Sequence, residues 1–293
     1  MKTLICDLGF SSLKWKYEGE KGRIISVCQQ QDRLIVGEDA LLQAGSSYLK
    51  TIEDLIHYYP VFVQEAARAA GITVPVRLVV GLPYSVWQAE KEKPAGLLTT
   101  LIKVLESPAY PEVVVLPQGL GGVRSYLETA GELTGNILGI DIGFNTVIFT
   151  LFSPVKGSII YGDTFFKRGV HQMATQLLLP VIRDFAPSRS FTPVEISYLI
   201  ERGYLQYGFE RHDISQQISE AAKTYIESVL RDIHGELQAH VGLRSDFDKV
   251  VLFGGGATLI RHQLEAKSVQ IIVLPEPEYA NAVGFSLIAE KNT

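Results

Sequence analysis

Leu4-Ile5-Cys6-Asp7-Leu8-Gly9-Phe10-Ser11-Ser12, close to the start of the chain, returns in edited form as Leu138-Gly139-Ile140-Asp141-Ile142-Gly143-Phe144-Asn145-Thr146. Lys21-Gly22-Arg23-Ile24-Ile25 returns likewise as Lys156-Gly157-Ser158-Ile159-Ile160. Each copy runs an apolar strand into Asp-x-Gly-Phe, then a polar pair and a second apolar strand, with a Lys-Gly turn before a third. Apolar strands punctuated by glycine turns read as a meander. Its duplication implies two similar domains, each with a hairpin of phosphate size that bears a carboxylate. That is a nucleotide clamp rather than a single pocket.

The chain has 293 residues, enough for two domains that each bury a core. With 46% hydrophobic and 20% charged residues it reads as globular rather than disordered. A formal net charge of -5 argues against a nucleic-acid or anionic-membrane surface as the main partner. Cys6 and Cys28 are the only cysteines, and their spacing fits neither a metal knuckle nor a disulfide framework, so reduced thiols are expected. His57, His171, His212, His234, His240 and His262 show no metal spacing. Met1 to Cys6 is too short for a signal-peptide core, and Asp7 interrupts it. No apolar run approaches the roughly 18 residues that span a bilayer. The expectation is a cytoplasmic chain with no membrane contact.

Along the chain, Leu4-Cys6, Leu13-Tyr17 and Ile24-Gln29 read as strands, and Arg33 to Gly71 as helical, opened by Gly37-Glu38-Asp39-Ala40. Val76-Val80 and Val113-Leu116 are buried strands separated by a helix around Ala95 to Glu106. The second copy repeats the meander from Ile137 to about Phe166, followed by a helix from Val170 to Phe185. Ser188 to Ser215 is polar and turn-rich and reads as an insertion. Ile214 to Leu243 is a long amphipathic helix with Ile218, Ala221, Ala222, Tyr225, Val229 and Ile233 on one stripe. Lys249-Phe253 and Val269-Val273 are the last strands, and a helix closes the chain. Strands flanked by crossover helices make this α/β.

Three glycine turns follow strands, where ligands of open sheets bind. In the first, Gly9 permits close approach, Ser11 and Ser12 add donors, and Lys14 on the next strand supplies positive charge to a phosphate. In the second, Gly143, Asn145 and Thr146 repeat the equipment, but Ile148 stands where the lysine would be. Asp7 and Asp141 suit a hydrated Mg²⁺, which keeps its waters and takes few protein ligands. The third turn, Gly254-Gly255-Gly256-Ala257, removes side chains where a flat base or ribose could lie. Gly169 either lets a helix start approach phosphate or simply begins the helix. The Glu220-Ala221-Ala222-Lys223 stretch either reaches ribose or, as the simpler reading, is a solvated helix face.

In this order the pieces resemble the actin, hexokinase and heat-shock-70 superfamily of ATPases and phosphotransferases. Its phosphate-1 signature matches Asp7 to Lys14, and its connect-1 signature matches Val113 to Gly122, VVVLPQGLGG. Phosphate-2 matches Asp141 to Thr146, the adenosine signature Val250 to Ala257, VVLFGGGA, and connect-2 Ala280 to Phe285, ANAVGF. Val36-Gly37-Glu38-Asp39-Ala40, Val80-Gly81-Leu82-Pro83 and Leu116-Pro117-Gln118-Gly119 further resemble the bacterial and archaeal actin-like group that includes the plasmid-segregation protein ParM.

The resemblance implies an actin-like, duplicated RNase H-like fold: two domains, each with a mixed five-stranded sheet flanked by helices, and nucleotide in the cleft between them. Domain I would comprise residues 1–136 with 275–293, and domain II residues 137–274, with small outer subdomains at about 32–72 and 187–215. It implies ATP, with GTP as the alternative, and Mg²⁺. Asp141 would polarise the attacking water and help orient the metal, and Gln118 would position that water as an amide can without being a base. Three functions stay open: a filament-forming ATPase that segregates plasmid DNA through a DNA-binding adaptor, a small-molecule kinase of the pantothenate or sugar type, and a non-filamentous ATPase scaffold. The absence of a carboxylate base at connect-1 weighs against the kinase.

Overall fold

The computed structural model describes residues 1–30, 34–41, 47–131, 133–191, 193–242, 246–260 and 270–291. The first half begins with strands β1 (Thr3–Leu8), β2 (Ser12–Tyr17) and β3 (Glu20–Ile25). An excursion follows through β4 (Val27–Gln30), β5 (Leu34–Val36), α1 (Glu38–Leu41), β6 (Ser47–Tyr48) and α2 (Ile52–Ala69). The chain returns in β7 (Arg77–Leu82), α3 (Tyr84–Glu90), α4 (Leu97–Leu105) and β8 (Glu112–Pro117), and leaves through α5 (Leu120–Thr129). Five strands form one sheet in the order β3-β2-β1-β7-β8, antiparallel on the meander side and parallel on the other. From Leu4 onward β1 is buried throughout, as befits a central strand covered on both faces.

The second half repeats the plan with β9 (Ile137–Ile142), β10 (Thr146–Ser153) and β11 (Ser158–Phe166). It continues through α6 (Val170–Gln172), a π-helical stretch at Met173–Leu178 and α7 (Leu179–Ile182). Then come α8 (Pro193–Arg202), the hairpin β12 (Tyr204–Tyr207) and β13 (Glu210–Asp213), and the long α9 (Ser215–His240). The chain ends through β14 (Lys249–Phe253), α10 (Ala257–Ile260), β15 (Gln270–Val273), a 3₁₀ turn at Pro277–Tyr279 and α11 (Ala280–Lys291). The order β11-β10-β9-β14-β15, with the same parallel and antiparallel pairings, makes the second sheet the counterpart of the first. Among the described residues no helix is long and apolar enough to cross a membrane.

Three stretches depart from the sequence reading. The expected strand Ile24-Gln29 is two strands, because the chain switches sheets at Ser26, whose N–H donates to Ser11 O and whose Oγ donates to Gly9 O. The stretch expected to be helical from Arg33 contributes β5 and β6 to a separate three-stranded sheet, β5-β4-β6, before α2 starts at a capping box of Thr51 and Asp54. The helix expected over Val170 to Phe185 breaks into α6, a π turn and α7. Pro180 has no N–H and its ring crowds the preceding turn, which widens to accommodate it. Arg33, Leu243 and Val269, where the sequence reading sets element bounds, and His262 lie outside the described residues.

The two sheets are joined by exchange. Helix α5 leaves the first sheet, yet its Val123 and Tyr126 pack with Ile137, Phe152, Val251 and Phe253 of the second. Helix α11 leaves the second, yet Ala282, Phe285 and Ala289 pack with Ile5 and Val79 of the first. The helices meet backbone to backbone. A Cβ on Gly121 would lie 2.6 Å from Asn281 O, and one on Gly284 would lie 1.8 Å from Gly121 O.

Candidate functional site

The meander registers place the chemistry. Asp7 lies opposite Lys14 across β1 and β2, and Asp141 lies opposite Ile148 across β9 and β10. Both aspartates are buried, and the two hairpins face each other across a cavity of about 290 Å³. Asp7, Gly9, Ser11, Ser12, Lys14, Gln118, Asp141, Gly143 and Thr146 line it, with Gly254, Gly255 and Gly256. Asn145 and Ala257 do not. Asn145 sits half-buried at the hairpin tip, while Ala257 turns inward as a wholly buried member of the second core. Thr258 and Leu259 face the cavity instead.

Two amides hold the two carboxylates. Gln118, at the end of β8, donates from Nε2 to Asp7 Oδ1 at 2.7 Å and to Leu8 O at 3.3 Å. That anchorage turns its carbonyl oxygen into the acceptor left for another partner. Asn281 opens α11 and donates from Nδ2 to Asp141 Oδ2 at 2.6 Å. Its Oδ1 accepts from the N–H groups of Gly119 and Gly122, both at 3.1 Å, so one side chain ties the start of α5 to the second carboxylate. No role for Asn281 is legible in the sequence beyond its place in ANAVGF, because its partners come from two other segments.

Glycines make room for the carboxylates at the ends of the neighbouring strands in the two sheets. A Cβ on Gly81 of β7 would lie 2.7 Å from Asp7 Oδ1. A Cβ on Gly254, after β14, would lie 2.2 Å from Asp141 Oδ1, and Gly254 has a left-handed φ of +83°. Behind Asp7, the wholly buried Tyr59 of α2 wedges between the ends of β1 and β7. Its hydroxyl accepts from Leu8 N at 3.2 Å and Gly81 N at 3.1 Å, and has Cys6 O at 3.0 Å and Gly81 O at 3.1 Å within its donating reach. The sequence reading missed this residue as well.

Burial raises the pKa of Asp7 above the usual carboxylate range, against the pull of Lys14, Gln118 and Asn281. Burial, and then the charge of Asp7, push Asp141 up to about 7. Burial lowers Lys14, while both aspartates pull it up. Two buried carboxylates served by one lysine call for further positive charge, either a proton or a cation. Hard oxygen donors in this number fit a hydrated Mg²⁺, and among the described residues no third His, Cys, Asp or Glu converges with them.

Gly169 brings the start of α6 against the second hairpin, since Val170 N donates to Gly143 O and His171 N to Phe144 O. Those N–H groups are thus taken by the hairpin rather than held free for an anion. Glu220 and Lys223 lie outside the cavity lining, and Arg23 and Glu278 lie within it.

No family model matches the chain, and no curated protein matches it. In structure it is similar over 100% of both chains to Ta0583, an archaeal actin homolog, with TM-score 0.78 and 14% identity. Over 99% of both chains it is similar to the ParM of a 15-stranded filament from Clostridium botulinum, with TM-score 0.76 and 18% identity. It is similar over 100% of both chains to Bacillus thuringiensis ParM with ATP, with TM-score 0.67 and 15% identity. The fold is therefore actin-like, with resemblance to ParM structures over essentially the whole chain.

Proposed function

We propose that this chain is an actin-like ATPase that binds a nucleoside triphosphate with Mg²⁺ between its two hairpins, hydrolyses it, and self-associates into filaments. The observation that carries the reading is the facing pair of buried carboxylates, Asp7 and Asp141, each held by an amide from a connecting segment and served by Lys14. Gly9, Ser11, Ser12, Gly143 and Thr146 would receive phosphate oxygens, and the Gly254-Gly255-Gly256 turn would lie against the nucleoside. Asp7 and Asp141 would hold the metal through its waters. When bound, the metal would supply positive charge that offsets the charge of the phosphates. Lys14 adds fixed positive charge beside the phosphates. Gln118, with its nitrogen committed to Asp7, presents an oxygen that accepts from the attacking water, and Asp141 lies close enough to the ordinary working pH to polarise that water.

Movement of DNA through a separate adaptor fits an acidic chain and the solved ParM relatives. Gln118→Ala should retain nucleotide and lose phosphate release, and Asp141→Ala should lose phosphate release together with most of its affinity for nucleotide with Mg²⁺, read in a coupled assay. Unchanged turnover in both variants sinks the assignment. Turnover that appears only with pantothenate or a sugar present would favour a kinase instead.

A further inference from the structure

The hairpin of β12 and β13 carries an anomaly that the nucleotide site does not use. Its two-residue turn is Gly208-Phe209, with Gly208 at φ +62°, the position where a tight hairpin requires glycine. The turn makes no such demand on the second position, yet Phe209 stands there fully exposed. Tyr207 beside it is exposed too, so the tip is aromatic. The hairpin stem is held firm: Tyr207 Oη lies 2.7 Å from Ser188 Oγ, and Arg189 donates to Gln206 O. A large apolar ring on a stiff projection is shaped as a knob.

A socket exists elsewhere on the chain. Beyond their contact at Gly121 and Gly284, α5 and α11 flank a second, open-sided cavity of about 300 Å³, lined by Arg124, Leu127, Glu128, Leu287, Ile288 and Lys291. A cavity of roughly 150 Å³ already admits a benzene ring. Leu127, Leu287 and Ile288 form the apolar part of its wall, and Arg124, Glu128 and Lys291 the charged part. Lys291, exposed at its rim, complements Glu210, which follows Phe209 and is also exposed.

Knob and socket lie on opposite sides of the nucleotide cleft. Ile200 and Glu201, at the end of α8, line the cleft on the hairpin side. Asn281 and Gln118 are buried at its floor, and the socket residues Leu287 to Lys291 stand about 9–15 Å further along α11. A chain cannot fill its own socket, and a contact between unlike surfaces at opposite ends propagates rather than closes.

We infer that Phe209 inserts into the α5–α11 socket of a second copy of this chain, forming the head-to-tail contact of a filament. The inference rests on the self-association reading above and names its contact. Phe209→Ser and Leu287→Lys remove knob and socket respectively. The first side chain is fully exposed, and the second belongs to none of the apolar cores among the described residues, so both variants should fold and bind nucleotide. With ATP and Mg²⁺, sedimentation should show the critical concentration raised at least about tenfold in each. An equal mixture of the two should form dimers and stop there, since one intact knob meets one intact socket. A Glu210→Cys, Lys291→Cys chain, which keeps Phe209, should give a disulfide-linked ladder under oxidation, and each single variant should not. A wild-type chain that stays monomeric at all concentrations overturns self-association and this contact together. Wild-type filaments matched by both variants overturn the contact alone.

Discussion

Asp141 is a carboxyl whose folded-state pKa, about 7, lies far above its ordinary value of 3.8. Below both values the folded and unfolded chains hold the proton alike. Between them the folded chain holds a proton that the unfolded chain has released, so stability falls as pH rises from about 4 to about 7 and stays reduced above. At about 1.36 kcal/mol per pKa unit, the loss for the nucleotide-free protein is bounded near ~4 kcal/mol. Urea midpoints at pH 5 and pH 8 should show that loss in the wild type and a much flatter profile in Asp141→Asn. The metal reverses the sign, because only the ionised carboxyl suits it. Affinity for nucleotide with Mg²⁺ should therefore rise up to tenfold per pH unit below 7 and level off above, and a titration showing no such slope would remove Asp141 from the metal site. Tyr59 makes a second residue-scale case. Tyr59→Phe strands two buried N–H groups, those of Leu8 and Gly81, which should cost roughly 2–4 kcal/mol in denaturant unfolding. It should also weaken nucleotide binding, since Leu8 carries the backbone next to Asp7.

At the scale of elements, the crossing of α5 and α11 brings two helix backbones into direct contact. Gly284→Ala would drive a methyl to 1.8 Å from Gly121 O, and a backbone atom cannot swing aside as a side chain can. The helices must separate, at a cost of about 1–3 kcal/mol or more. Gly235, inside α9, has nothing within 4 Å of where its Cβ would be, so Gly235→Ala should instead stabilise by about 0.5–1 kcal/mol. Thermal unfolding of the pair should shift in opposite directions. The same contrast explains what the sequence disclosed. The two hairpins were legible because their turn, carboxylate and flanking strands are contiguous, and the duplication checks one copy against the other. The β5-β4-β6 sheet was not, because its strands are two to four residues long and Cys28 pairs with both Val36 and Ser47, contacts that no periodicity announces. Asn281 and Tyr59 were missed for the same reason, since each acquires its role from groups that only folding brings near. Ala257, by contrast, was read as part of a glycine run, and its methyl points inward because α10 begins there.

Across the whole molecule, each half supplies one carboxylate and one phosphate-sized hairpin, and the exchanged helices couple the halves. Nucleotide that touches both hairpins stabilises the arrangement of the two sheets as well as each sheet. A ligand that binds only the folded state raises stability by RT ln(1 + [L]/Kd), about 2.7 kcal/mol at a hundredfold excess over Kd. If the clamp works as proposed, that gain needs both jaws. Asp7→Asn and Asp141→Asn should each lose most of the thermal shift given by ATP with Mg²⁺, and the double variant should lose no more than the worse single one. That non-additivity marks residues acting through one shared ligand rather than two separate subsites. Chelation with EDTA should abolish the wild-type shift to a similar extent and leave the double variant unchanged. Two independent half-shifts that add would show instead that each half binds by itself, and the picture of a clamp would then give way to two separate sites.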